Sequence, residues 1–191
     1  MAMSSWMIRR SLRQRSRPAP EDCYRLDTDK TLRENANDIY IGLCSFHTSI
    51  NKRLSLLNGL VKLIDRWKRD AGLDSSVSVN ISPPQPGGRS MTVLSGERDA
   101  CLGYTVQQWM CCVGRSLVHQ LPQIRAGALR VLRRLLLAPC DMREFNRLQL
   151  AHLICRSLDV MLRNGEERVQ ALKLVRRMLI VAPDELRPAI V

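Results

Sequence analysis

Aromatic side chains are scarce: three Trp, three Tyr and two Phe, or 4% of 191 residues. A core made from this chain must therefore be aliphatic, and there is no supply of stacking platforms for reading single-stranded RNA. Runs of Val, Ile, Thr and Tyr are few, which removes the usual material of sheets. The Leu-rich, Arg-rich remainder suits helices. No Cys-x-x-Cys occurs; the seven cysteines are irregularly spaced, and His47, His119 and His152 lie far apart. No zinc site is expected, and the thiols read as reduced and mostly buried. The longest uncharged runs, Ala100 to Gly114 and Ser75 to Gly88, are too short to span a bilayer. There is no Gly-x-Gly-x-x-Gly, no phosphate-binding loop ending in Lys-Ser/Thr, no His-Glu-x-x-His and no kinase catalytic loop. The expectation is a protein with neither catalytic site nor cofactor. His119 and His152 fall at mostly apolar helical positions and read as buried histidines, and Glu166-Glu167 as acids favouring a helix start. An apolar setting should disfavour the thiolate at Cys111-Cys112.

What is present is positive charge. The formal net charge is +12, a balance that draws nucleic acid, anionic membrane or acidic proteins without choosing among them. Met1 to Pro20 holds five arginines and no acid. That composition fits a mitochondrial presequence, but Pro18, Pro20 and the lack of an amphipathic stripe favour a solvated basic arm. Residues 1–27 are accordingly expected to be a disordered arm.

Residues 28–72 read as N-terminal helices. Thr31 and Glu34 have capping-box spacing, with Leu32, Ala36, Ile39 and Leu43 following at helical intervals. A longer helix starts near Thr48 or Ser49, carries Ile50, Leu54, Leu57, Val61 and Ile64 on one stripe, and stops at Gly72. Residues 73–97, with Ser-Pro-Pro-Gln-Pro-Gly-Gly, read as a flexible loop or linker. Four helical segments are expected near Tyr104 to His119, Pro122 to Ala138, Phe145 to Arg163 and Glu166 to Val181, joined by short connections that make neighbours antiparallel.

Arg125 to Leu136 reads RAGALRVLRRLL and Arg168 to Leu179 reads RVQALKLVRRML, identical at six of twelve positions with an offset of 43 residues. The preceding helices repeat as well, Arg115-Ser116-Leu117 returning as Arg156-Ser157-Leu158. A period of about 40 to 47 residues carried by helix pairs is that of HEAT and armadillo solenoids, in which stacked pairs share one core. The fold class expected is all-α: an armadillo/HEAT-like α-solenoid of antiparallel helix pairs over residues 98–191, cut short at the C-terminus, so that the chain reads as a fragment or truncated gene model of something longer. Leu129, Leu132, Leu135 and Leu136, with Leu172, Val175, Met178 and Leu179 in the second copy, are the expected core. Arg130, Arg133 and Arg134 correspond to Lys173, Arg176 and Arg177. Stacking would lay these six out as a basic ladder, either a solvated face or a docking strip for an acidic or phosphate-bearing partner.

The second repeat, ERVQALKLVRRMLIV from Glu167 to Val181, resembles the N-terminal region of the Rictor family, the rapamycin-insensitive companions of the TOR kinase. RAGALRVLRRLL is similar to it too, and so, more loosely, are Leu102 to Gln120, Lys52 to Ile64 and the opening Arg9 to Arg17. The resemblance implies a cytoplasmic, non-catalytic scaffold of TOR complex 2. Its implied partners are the TOR kinase, its beta-propeller subunit and the Sin-type subunit, with signalling to AGC-family kinases such as Akt and to the actin cytoskeleton. The alternative is a basic helical module binding nucleic acid or anionic membrane. Nucleic acid is disfavoured by the lack of aromatics, whereas a peripheral contact with anionic membrane is left open.

Overall fold

The structure, a computed structural model, describes residues 23–73, 90–159 and 164–186. Among them are eight α-helices and no strand. These are α1 (Leu32–Cys44), α2 (Ile50–Asp70), α3 (Met91–Leu102), α4 (Val106–Leu117), α5 (Pro122–Leu135), α6 (Pro139–Arg147), α7 (Leu150–Leu158) and α8 (Gly165–Val181). A 3-10 turn, Asp184–Leu186, follows α8.

Local chemistry sets the helix limits. The capping box forms at α1: Glu34 N donates to Thr31 Oγ1 at 3.2 Å, and Thr31 N donates to Glu34 Oε2 at 2.8 Å. Ser49 caps α2 by accepting from Lys52 N, and the chain leaves α2 through Gly72 at φ 71. Thr105 and Gln108 make a second capping box at α4, and Pro122 and Pro139 occupy first turns, where a missing N–H costs nothing.

Three expected boundaries move. Residues 23–27 are not a free arm: Tyr24 N donates to Ser55 Oγ at 2.8 Å and Asp27 N to Asn35 Oδ1 at 3.0 Å. Buried Asn35, which also donates to the Asp27 carbonyl, holds this strap against α1 and α2. The rest of the expected arm, residues 1–22, and residues 74–89 of the expected linker lie outside the described residues. Helix α3 occupies residues 91–102, inside what the sequence suggested was loop up to 97; its buried set of Leu94, Ser95, Arg98 and Leu102 is half polar, which hid its periodicity. The segment expected as one helix from Phe145 to Arg163 is two, α6 and α7, parted at Gln149, whose φ of 54 is left-handed. Residues 160–163 are outside the description.

The helices touch in an ordered way. Helix α5 packs on α2 on one side and α8 on the other, while α1, α4 and α7 make a second series of neighbours beside them. Each member of the second series also meets its partner in the first: α1 with α2, α4 with α5, α7 with α8. Between the series lies one aliphatic core, including Leu57, Leu60, Ile64, Val113, Leu129 and Leu132. Tyr40, Tyr104 and Trp109 cluster at its edge, with Tyr40 stacked on Tyr104 at 4.0 Å and Trp109 edge-on to both.

The first copy's core residues, Leu129, Leu132, Leu135 and Leu136, are fully buried. The second copy departs from expectation. Met178 is buried and Val175 half-buried, but Leu172 and Leu179 are 55% and 52% exposed. The buried positions on α8 are instead Glu167, Gln170, Ala171, Leu174 and Met178. Helix α5 has packed neighbours on several sides, whereas α8 is covered on the α5–α7 side, so half of an equally apolar sequence stays outside.

Candidate functional site

The six basic residues singled out by the repeat lie on α5 and α8, which pack together, but they differ in what they do. Arg130 pairs with Glu166 at 3.1 Å and reaches Asn58 Oδ1 at 3.5 Å. Arg134 forms an ion pair with Asp65 at 3.3 Å that is not aligned as a hydrogen bond. Arg177 Nε donates to the Leu136 carbonyl at 2.9 Å. Burial lowers its affinity for the proton, with Asp141 opposing that and Arg134 adding to it. Arg133 is half-buried with an unpartnered Nε, and desolvation, then Arg134 and Arg130, destabilise its charge. Lys173 and Arg176 are exposed, and among the described residues no hydrogen bond or ion pair engages them. The ladder therefore separates into three side chains that tie helices together and three, Arg133, Lys173 and Arg176, with donors to spare.

Sequence reasoning missed two further cations. Lys68 on α2 donates to the Arg134 carbonyl at 3.1 Å, and Arg98 on α3 donates to the Leu135 carbonyl at 2.6 Å. With Arg177 on Leu136, three consecutive carbonyls at the end of α5 each receive a cation, from three different helices. The last carbonyls of a helix lack intrahelical donors and carry the negative end of its dipole, so positive side chains are stabilised there. Burial, followed by Arg134 and Arg177, brings the Lys68 ammonium down to about 8.

A buried ion pair stands near each end of α5. Arg98 is wholly buried and contacts Asp141 at 3.2 Å and Asp99 at 2.8 Å. Asp141 also accepts from Ser95 Oγ and from the Leu137 and Ala138 amides, which ties α3 to the start of α6. Arg125 meets Glu167 at 2.7 Å, with neither side chain more than 4% exposed. Burial pushes the Glu167 carboxyl up, but hydrogen bonds from Arg125 and Ser157 outweigh it and leave the group below its ordinary value. Glu167 is thus a buried partner to the neighbouring copy, not only an acid at a helix start. Its counterpart position in the first copy is Ile124, and there the buried hydroxyl of Ser116, counterpart of Ser157, finds no partner.

The histidines and thiols differ from expectation. His152 is exposed and His119 half-buried, its Nδ1 accepting from Leu121 N at 3.1 Å. Of the seven cysteines only Cys112 is buried; Cys23, Cys101, Cys111 and Cys155 are exposed. Burial raises the Cys112 thiol well above its ordinary value, as expected for its setting, whereas Cys111 faces outward. The described residues contain no cluster of three or more metal-ligating side chains and no helix long and apolar enough to cross a membrane.

Fold and surface together define an all-helical module with a continuous aliphatic core, buried inter-helix ion pairs and three basic side chains with spare donors. Its family follows from comparison: the sequence model described as "Rapamycin-insensitive companion of mTOR, N-term" matches residues 96–191, half of the chain, and the chain belongs to that family. The mouse and human proteins named "Rapamycin-insensitive companion of mTOR" are each 33% identical to it over 86 residues. Those residues make up 45% of this chain and 5% of either relative, so the match covers about one-twentieth of their length.

Proposed function

We propose that this chain is a non-catalytic, cytoplasmic scaffold segment of the kind used in TOR complex 2. The single observation that carries this is the family match over residues 96–191, the stretch that contains both copies of the repeat. Its partners are then the TOR kinase, the kinase's beta-propeller subunit and the Sin-type subunit, and its influence passes to AGC-family kinases such as Akt and to the actin cytoskeleton.

The helix contacts support an armadillo-like solenoid. Contacts run from α2 to α5 to α8, from α1 to α4 to α7, and from α3 to α6. On this view the unit is a triplet, α3–α4–α5 followed by α6–α7–α8, and not the pair suggested by sequence. The row Val169, Leu172, Leu179 and Ile180, between 41% and 55% exposed, is the surface a further triplet of the same solenoid would cover. Arg133, Lys173 and Arg176 form the strip offered to a carboxylate- or phosphate-bearing partner.

Tagging the whole chain, recovering it from cells and identifying co-purifying proteins by mass spectrometry tests the proposal. Enrichment of the TOR kinase with its companions is expected, and failure to enrich any of them overturns it. Reversing Arg133, Lys173 and Arg176 to Glu should reduce that recovery at least tenfold while leaving helicity and melting unchanged. Undiminished recovery removes the basic strip from the interface. Steeply salt-dependent binding to RNA or anionic vesicles, in place of protein recovery, would assign the strip to the alternative basic-module function.

A further inference from the structure

Helices α1 and α4 bring two sulfurs together. Cys44, the last residue of α1, and Cys112, in the middle of α4, lie 68 positions apart in sequence with Sγ atoms 3.6 Å from each other. Both are free thiols, Cys112 buried and Cys44 half-buried. The helices that carry them are held in place by the ring cluster one turn away: Tyr40 precedes Cys44 on α1, Trp109 precedes Cys112 on α4, and their centroids are 5.3 Å apart. Among the described residues no other pair of thiols is hydrogen-bonded, and the neighbouring Cys111 is exposed.

We propose that Cys44 and Cys112 form an oxidative modification site that closes to a disulfide in the presence of a peroxide, joining α1 to α4. Bonding requires the sulfurs to close from 3.6 Å to about 2.05 Å. Cys44 is the sulfur a solvent-borne oxidant meets first. Its thiolate attacks one peroxide oxygen; the O–O bond breaks, hydroxide leaves and takes up the thiol proton as water, and Cys44 becomes a sulfenic acid. The Cys112 sulfur then attacks the Cys44 sulfur, the S–O bond breaks, and the hydroxyl departs with the Cys112 proton as a second water. Two thiols have lost two electrons and two protons, and one peroxide has become two waters. A dithiol reductant reverses the reaction by exchange. Burial, which keeps Cys112 protonated, assigns it the resolving role, and the short separation compensates for its weak nucleophilicity.

The test uses the whole chain carrying Cys101→Ser and Cys111→Ser, so that Cys112 is the one thiol of its tryptic peptide. The reduced protein is treated with stoichiometric hydrogen peroxide, alkylated in denaturant and mapped by mass spectrometry. A cross-linked Cys44–Cys112 peptide, two hydrogens lighter than its parts, should appear in at least tenfold greater yield than when the same chain is oxidised in urea. It should vanish in Cys44→Ser and in Cys112→Ala, and be cleaved by dithiothreitol. The inference is overturned if both cysteines emerge alkylated or singly oxidised while other thiols link, or if native and urea-treated samples give equal yields. The Cys44→Ser change lies at the half-buried helix end, so it keeps the test interpretable should Cys112→Ala perturb the core.

Discussion

Lys68 spends its charge on a carbonyl in a setting that opposes the charge. Its folded value near 8 lies below the 10.5 of an unhindered lysine, so between those limits the unfolded chain binds the extra proton. Stability attributable to this group therefore rises with pH across that window and is lowest below it, by up to about 3 kcal/mol. Lys68→Met removes the titration. Denaturant unfolding at pH 7 and pH 10 should show the wild-type chain gaining on the variant at the higher pH, and a pH-independent difference would mean that the amine is not desolvated. Glu167 has the same pH sign in a lower range, but here the fold favours the charged form. Its lowered carboxyl contributes stability above the ordinary carboxylate range, lost as pH falls through the folded value. Glu167→Gln should cost about 3–5 kcal/mol, because it strands buried Arg125, and Arg125→Met with Glu167→Leu should recover most of that loss in the same unfolding assay. Neither role was legible from sequence. Glu167 sits where an acid suits any helix start, and a lysine in an amphipathic helix is ordinarily solvated; only the meeting of distant segments changes their meaning.

Elements with local punctuation were the readable ones. Thr31 and Glu34, Ser49, Gly72 and Pro122 each act within one turn of their own position, and α1, α2 and α5 begin or stop at them. Helix α3 was hidden because its buried face includes Arg98 and Ser95, side chains that read as solvent-facing until Asp141 arrives from 43 residues away to neutralise the arginine. The break between α6 and α7 was hidden because Gln149 lacks the signature of a stop. A non-glycine residue at φ 54 carries about 1 kcal/mol of left-handed strain. Gln149→Gly should release it and raise Tm by about 2–4 °C; an unchanged or lower Tm would show that the Gln side chain offsets the strain. Gly103 is the mirror case. It ends α3 at φ 75, and a Cβ there would lie 2.9 Å from Arg33 Nε. Gly103→Ala should cost at least about 1 kcal/mol, read as a fall in Tm.

Across the whole molecule, the 43-residue self-similarity falls on α5 and α8, which pack together. It misjudged which face of α8 is covered, since self-similarity describes what a residue resembles and not what happens to stand beside it. That difference is measurable. Leu174→Ala, at a fully buried site, should cost about 2–5 kcal/mol, whereas Leu172→Ala, more than half exposed, should change stability by no more than about 0.5 kcal/mol. Equal losses would restore the sequence-based register. The three cations gathered on Arg134, Leu135 and Leu136 have a mechanical corollary. Each is anchored in a separate helix, so the short bridge from α5 to α6 behaves as a welded corner and not a swivel. Bending imposed on one half of the chain is then carried into the other, and any flexing along the length must be taken up elsewhere, for which the Leu148-Gln149 break is the nearest seam.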